Sequence, residues 1–286
     1  MSEEKFIIVD SLSYIYSKDT PYETQALKNI SFDIKKGEII GIIGHTGCGK
    51  STLVQHLNGL IRPMSGKVFV DGLDLSDKSL NLKKLRCKVG LVFQYPEYQL
   101  FEETVFDDVA FGPRKAGFRE EDTLNSVKES LVLLGFNFEQ VKNRSPFSLS
   151  GGEMRRVAIA GVLAMKPNVL ILDEPTAGLD PNTKEILISK LLYLNRHGIT
   201  IILVSHSMDD VAEIADRLLV LHEGEVLAFG RPKEVFSDSS VLALSDLMLP
   251  QCTKLLICLK ENGIDINTNF FKVDETADEI ARVIKK

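Results

Sequence analysis

No apolar stretch in this chain approaches the ~20 residues needed to span a bilayer. Any work at a membrane would therefore need another chain to supply the spanning part. The start, Met1-Ser2-Glu3-Glu4-Lys5, is charged and lacks the apolar segment of a secretory signal, so export is not expected. Positive charge is not in excess either. A net charge of −6 argues against a nucleic-acid-binding surface, and no nucleic-acid partner is expected. The four cysteines lack paired metal-type spacing, which suits reduced thiols in the cytosol. Coiled-coil heptads are missing as well. What is present is 286 residues, 44% of them apolar, enough for one large domain and a small appendage.

Hydrophobic periodicity orders the chain as alternating strands and helices. Phe6-Ile7-Ile8-Val9, Ile30 to Ile34 and the apolar run Glu38 to Ile43 read as strands, followed by Gly66 to Gly72 and Val89 to Phe93. Between about 95 and 165 the pattern turns helical, with Leu124, Val127, Leu131 and Leu134 at helical spacing after the acidic turn Glu120-Glu121-Asp122. Strand Val169 to Leu172, a helix near 183–196 and strand Thr200 to Val204 follow. This alternation predicts an α/β fold with a mostly parallel sheet flanked by helices. Residues 1–240 are expected to form the main domain and 241–286 a small C-terminal unit, whose last helix has Ile280, Val283 and Ile284 on an apolar face.

The chemistry is concentrated in Gly44-His45-Thr46-Gly47-Cys48-Gly49-Lys50-Ser51-Thr52. Glycines at 44, 47 and 49 allow backbone conformations in which consecutive N–H groups point at a phosphate chain. Lys50 supplies positive charge for the β- and γ-phosphates of ATP, and Ser51 offers a hydroxyl to Mg²⁺. The preceding apolar strand and the following helix give the context the motif requires, with the helix N-terminus favouring anions. Cys48 admits two readings. Its side chain faces away as a small filler, or its position at a helix N-terminus lowers the thiol pKa and makes it reactive. Chemical reactivity, with ATP binding blocked by alkylation and protected by Mg-ATP, is the expectation.

A second constellation follows. Val169-Leu170-Ile171-Leu172 ends in Asp173, placed to hold Mg²⁺ through water, and Glu174, a candidate for polarising the attacking water. Leu149-Ser150-Gly151-Gly152-Glu153 opens a helix and aims N–H groups and a hydroxyl at an anion.

These motifs, in this order, resemble an ATP-binding cassette ATPase, over residues from about 6 to 240. The resemblance implies a P-loop NTPase cassette with an antiparallel β subdomain, a helical signature subdomain at about 95–165, and hydrolysis of ATP with Mg²⁺. It implies that His206 contacts the γ-phosphate and that Gln94 touches Mg²⁺ and the attacking water. Ala177-Gly178-Leu179-Asp180 would cross a dimer interface, and Leu149 to Glu153 would meet ATP held by the other subunit. Tyr16 is the best candidate for stacking on adenine, with Tyr14 and Tyr22 as rivals.

Phe93-Gln94-Tyr95-Pro96-Glu97-Tyr98-Gln99-Leu100-Phe101-Glu102, Asp108 to Pro113 and Gln55 to Leu60 narrow the resemblance. They look like the ATPases of energy-coupling factor importers, most like the second of the two ATPases in such modules. Cys48 departs from that pattern, where serine is usual. The implied partners are a second homologous ATPase or another copy of this chain, a transmembrane coupling protein, and an exchangeable membrane subunit that binds a vitamin or metal. Glu97, Gln99, Leu100, Phe101 and Glu102 would face the coupling protein, and the protein would sit peripherally on the cytoplasmic face of the cell membrane. The C-terminal unit resembles a dimerisation extension. A dedicated cobalt or nickel importer, another importer of the same class, or a soluble cassette ATPase are the competing readings.

Overall fold

The computed structural model describes residues 5–245 and 247–284. Strands β1 (Lys5–Tyr16) and β2 (Thr24–Lys35) pair antiparallel, while β3 (Ile39–Ile43) departs into a second sheet. β4 (Ser65–Val70) and β5 (Leu73–Asp74) complete the first sheet in the order β2-β1-β4-β5. The second sheet has six strands. It adds β6 (Val89–Val92), β7 (Val169–Asp173), β8 (Thr200–Val204), β9 (Arg217–His222) and β10 (Glu225–Gly230), in the order β10-β9-β3-β8-β7-β6. β10 runs antiparallel to β9 and the other pairings are parallel.

All five residues of β3 and of β8 are buried, as expected for strands covered on both faces. Alternation along them divides the core in two. Ile40, Ile42, Ile202 and Val204 face the antiparallel sheet and helix α1 (Lys50–Leu57). Ile39, Ile43, Ile201 and Leu203 face the other helical layer. A short helix α2 (Leu82–Lys88) leads into β6. The helical interval is α3 (Val105–Ala116), α4 (Glu120–Leu133), α5 (Phe138–Val141) and α6 (Gly151–Leu163). α7 (Pro181–Arg196), α8 (Met208–Ile214) and α9 (Pro232–Ser237) complete the main body.

Helix α10 (Ser239–Ser245) runs across the expected break at 240/241, and Val241 belongs to the main core. The C-terminal segment continues with α11 (Gln251–Glu261) and α12 (Val273–Ile284). It is packed against the main body: Phe271 stacks on Phe236 with centroids 5.6 Å apart, and the Gln251 N–H donates to Asp209 Oδ1 at 2.7 Å. On α12 Ile280 and Val283 are half-buried, while Ile284 is 77% exposed, so the expected apolar face is only partly covered.

Candidate nucleotide-binding site

Strand register explains why residues far apart in sequence meet. Ile42 pairs with Val204, Val204 with Asp173, and Leu172 with Val92. The C-terminal ends of β3, β8, β7 and β6 are thus level, the usual position for a ligand in a parallel sheet. The glycine loop, His206, Asp173-Glu174 and Gln94 all emerge from that edge. Tyr16, Thr46, Gly47, Gly49, Lys50, Ser51, Thr52, Gln94, Asp173, Glu174 and His206 line one cavity of about 310 Å³. Thr24, Gln25 and Ala26, at the start of β2, complete its wall. Nothing in the sequence pattern singled these three out, because they are ordinary strand residues that arrive by sheet pairing.

The loop is shaped by close backbone approaches. At Gly44 (φ 148°) a Cβ would lie 2.2 Å from the Leu221 carbonyl oxygen, and at Gly49 (φ 107°) 2.5 Å from that of Ala26. Any side chain there would push the loop off its support. Lys50 Nζ donates to the carbonyls of Gly44 (2.7 Å) and His45 (2.9 Å), so the ammonium is curled inside the loop. Gly44, His45 and Cys48 do not line the cavity. His45 instead packs edge-to-face against His222, centroids 5.3 Å apart.

Cys48 resolves in favour of the filler reading. Its sulfur lies in the core behind the loop, the residue only 1% exposed. Burial pushes the thiol pKa up, with Lys50 and loop hydrogen bonds only partly opposing it. The helix-terminus argument for a reactive thiolate is overturned by desolvation. Alkylation of the folded chain by iodoacetamide is therefore expected to spare Cys48 and label exposed Cys258 first, as peptide mapping over time would show. Early labelling of Cys48 would contradict this geometry.

Ser51 Oγ donates to Asp173 Oδ2 at 3.3 Å. Hydroxyl and carboxylate oxygens side by side, with the Gln94 amide on the same wall, suit a hard cation such as Mg²⁺ that shares its shell with phosphates. Glu174 is buried, 7% exposed, and its backbone sits in the left-handed region at φ 52°. A non-glycine residue held there is strained, and such strain clusters at functional positions. Its N–H is fixed to the Val204 carbonyl at 2.9 Å. Burial pushes its carboxyl pKa up to about 7, the backbone N–H of His206 and the charge of Lys50 opposing, the charge of Asp173 reinforcing. His206 Nε2 stands 3.4 Å from Glu174 Oε1. Desolvation, aided by Lys50, holds the imidazole below its ordinary pKa, favouring the neutral ring.

The three tyrosines separate by position. Tyr16 is on the cavity wall with its hydroxyl 3.2 Å from Thr52 Oγ1. Tyr14 packs against the core behind it, and Tyr22 is highly exposed and away from the cavity.

Leu149 to Glu153 do not line the cavity. Ser150 caps α6 through a reciprocal pair: its Oγ accepts the Glu153 N–H, and Glu153 Oε2 accepts the Ser150 N–H at 2.8 Å. Beside it Asp180 caps α7, and a Cβ on Gly152 would approach Thr183 to 3.3 Å, so the two helix starts lie together.

Glu97 is engaged within the chain. Its oxygens accept from Arg155 Nε (3.0 Å) and a terminal nitrogen (2.9 Å), and the pair is largely buried. Burial alone would raise its pKa; the Arg155 bonds outweigh it and hold the carboxyl below the usual range. Arg155 also donates to the carbonyls of Pro175 (3.2 Å) and Ala177 (2.5 Å). Thr176 Oγ1 donates to Asp210, which also pairs with Lys184. The segment following Glu174 is thus clamped from α6 and α8. Leu100 is buried as well, whereas Gln99 and Phe101 are exposed and Glu102 half-buried.

Residues 27–177 match the family model described as ABC transporter. The Energy-coupling factor transporter ATP-binding protein EcfA2 of Clostridium perfringens is 49% identical over 98% of both chains. The protein of the same name from Clostridium tetani is 46% identical over 97% of this chain and 96% of its own. The chain belongs to the ATP-binding subunits of energy-coupling factor transporters. It is accordingly an ABC-type ATPase with the P-loop cassette fold. Among solved structures, CbiO1 from Clostridium perfringens, described as part of the ABC transporter complex CbiONQ, superposes with a TM-score of 0.74 at 40% identity, covering 89% of this chain and all of CbiO1. The cassette MJ0796, a dimer bound to ADP and phosphate, gives a TM-score of 0.70 at 31% identity, covering 79% of this chain and 98% of its own.

Proposed function

We propose that the chain binds and hydrolyses ATP as the engine of an energy-coupling factor importer, driving uptake of a vitamin or other micronutrient. The observation that carries this reading is the convergence of Lys50, Ser51, Gln94, Asp173, Glu174 and His206 on one cavity at the sheet edge. The loop N–H groups and Lys50 neutralise the phosphates, and Tyr16 takes the base. Mg²⁺, held by Ser51 and Asp173 with Gln94 beside them, would offset charge developing on the transferred phosphoryl group. Glu174 accepts a proton from the attacking water, its elevated pKa matching that task near neutral pH. His206 orients the γ-phosphate from beside Glu174.

Ser150, Gly151 and Gly152 present a helix start away from this chain's own cavity. In a head-to-tail dimer with a second homologous ATPase, or with another copy, they would close on the partner's ATP, with Ala177 to Asp180 crossing the interface. The extension formed by α11 and α12 is read as a further dimer contact. Among the described residues no helix is long and apolar enough to cross a membrane. Membership of the family supports a place on the cytoplasmic face, bound to a transmembrane coupling protein that also holds an exchangeable substrate-binding subunit.

The docking surface for the coupling protein is read as the groove between the main sheet and the helical interval, about 360 Å³, where Leu60, Phe93, Gln99, Phe101 and Phe111 meet. Phe101 is 57% exposed, packs edge-to-face on Phe111, and its N–H and that of Glu102 are anchored by Asp108. Phe101→Asp is expected to reduce co-purification with the coupling protein at least tenfold while ATP affinity stays within twofold. Undiminished assembly would remove this surface from the proposal. A cobalt or nickel importer would use the same chemistry, because the ATPase does not touch the cargo.

A further inference from the structure

Four residues close a ring at the edge of the cavity, through three ring side chains and both the hydroxyl and the backbone carbonyl of Thr52. The Tyr16 hydroxyl is 3.2 Å from Thr52 Oγ1, and one helical turn on, His56 Nδ1 is 2.7 Å from the Thr52 carbonyl oxygen. The His56 ring meets Tyr14 edge-to-face, centroids 4.9 Å apart at 75°. Tyr14 meets Tyr16 the same way, 4.9 Å apart at 80°. Two members come from β1 and two from α1, the helix that carries the phosphate loop's last residues.

Three features set this ring apart from ordinary packing. A carbonyl can only accept, so the His56 hydrogen bond fixes the tautomer with the proton on Nδ1. That leaves Nε2 as a buried acceptor without a partner, in a ring that is 0% exposed. An aliphatic side chain would fill the same space without the desolvation cost of an unpaired nitrogen. The imidazole is therefore a flat, rigid plate, oriented by Thr52 and presented to Tyr14. Finally, the β1–β2 register shifts on both sides of Tyr14, between Leu12 and Tyr14 and between Tyr14 and Ile15. Irregular pairing re-aims side chains and leaves their direction to other contacts. At Tyr16 those contacts are Thr52 and Tyr14.

We propose that His56 and Tyr14 are positioning residues for nucleobase recognition: they hold the Tyr16 ring square to the cavity, so that preference for a base-bearing triphosphate depends on both. The proposal rests on the reading of Tyr16 as the base platform. Through Thr52 the same ring ties the platform to the phosphate loop, so base and triphosphate are received by one rigid unit.

Affinity for Mg-ATP and for Mg-tripolyphosphate, which has no base, separates a positioning role from a structural one. Both are measured by calorimetry on the full chain. Tyr16→Ala is expected to weaken ATP about tenfold or more, as loss of a base–aromatic stack does, with tripolyphosphate unchanged. His56→Leu and Tyr14→Leu are expected to weaken ATP about three- to tenfold, also without change for tripolyphosphate, and Tyr14→Phe to restore wild-type preference. Parallel loss of both ligands in His56→Leu and Tyr14→Leu would reduce the ring to support for α1 and overturn the proposal. Unchanged ATP affinity in those two variants, beside a loss in Tyr16→Ala, would also overturn it. An unaffected Tyr16→Ala would instead refute Tyr16 as the platform. Should His56→Leu fail to fold, Tyr14→Leu, at a half-buried position, decides the matter.

Discussion

Glu174→Gln is expected to slow phosphate release from bound ATP by about 10²–10⁴-fold, the usual contribution of a positioned general base, while ATP affinity remains near wild type. The amide preserves shape and one hydrogen-bonding oxygen but cannot take the proton. The argument rests on position as well as chemistry. Glu174 sits one residue beyond the strand end that aligns with His206 and the phosphate loop, with its N–H pinned to Val204 and its backbone held at φ 52°. Burial keeps the carboxyl basic, at a pKa of about 7, where a neutral-pH base works best. Single-turnover phosphate release, read beside an ATP titration, checks both halves. A loss of only a few-fold would place the base on another residue.

Glu97→Lys is expected to damage the protein throughout, and not merely one docking contact. Removing one partner of a buried ion pair costs about 3–5 kcal/mol, because the remaining charge is left desolvated. Here the stranded group is Arg155, whose other bonds hold the carbonyls of Pro175 and Ala177 next to Glu174. A lower urea midpoint is expected together with a fall in ATP turnover. The double replacement Glu97→Gln with Arg155→Met should lose less stability than the two single changes summed, since neither charge is then left alone. Unchanged stability in Glu97→Lys, with only assembly affected, would return Glu97 to the surface role read from sequence.

The difference between those two residues shows what the sequence carries and what it does not. The position of Glu174 at the cavity edge is legible because its cues are local: an apolar parallel strand ending in carboxylates. The α6 start was readable for the same reason, since Ser150 and Glu153 form their capping pair within one turn. The Glu97 ion pair is not legible in the sequence because its partner lies 58 residues away on α6, and a mixed apolar and acidic stretch looks like surface until that helix arrives. Cys48 failed by competition between effects: the helix terminus favours a thiolate, but the buried sulfur is desolvated more strongly than the terminus compensates. Thr24, Gln25 and Ala26 entered the cavity through the pairing of β2. Helix α10 begins with polar Ser239 and Ser240, so its packing on the main core shows only through the buried Val241.

The most direct test of the importer reading is Mg-ATP hydrolysis by this chain assembled with its homologous ATPase and a transmembrane coupling protein in lipid vesicles, beside the chain alone and the Glu174→Gln assembly. The expected result is turnover that requires the assembly and falls by at least a hundredfold in the variant, in keeping with loss of a general base. Turnover equally fast for the chain alone, indifferent to the coupling protein, would contradict the importer reading and leave a soluble ATPase in its place.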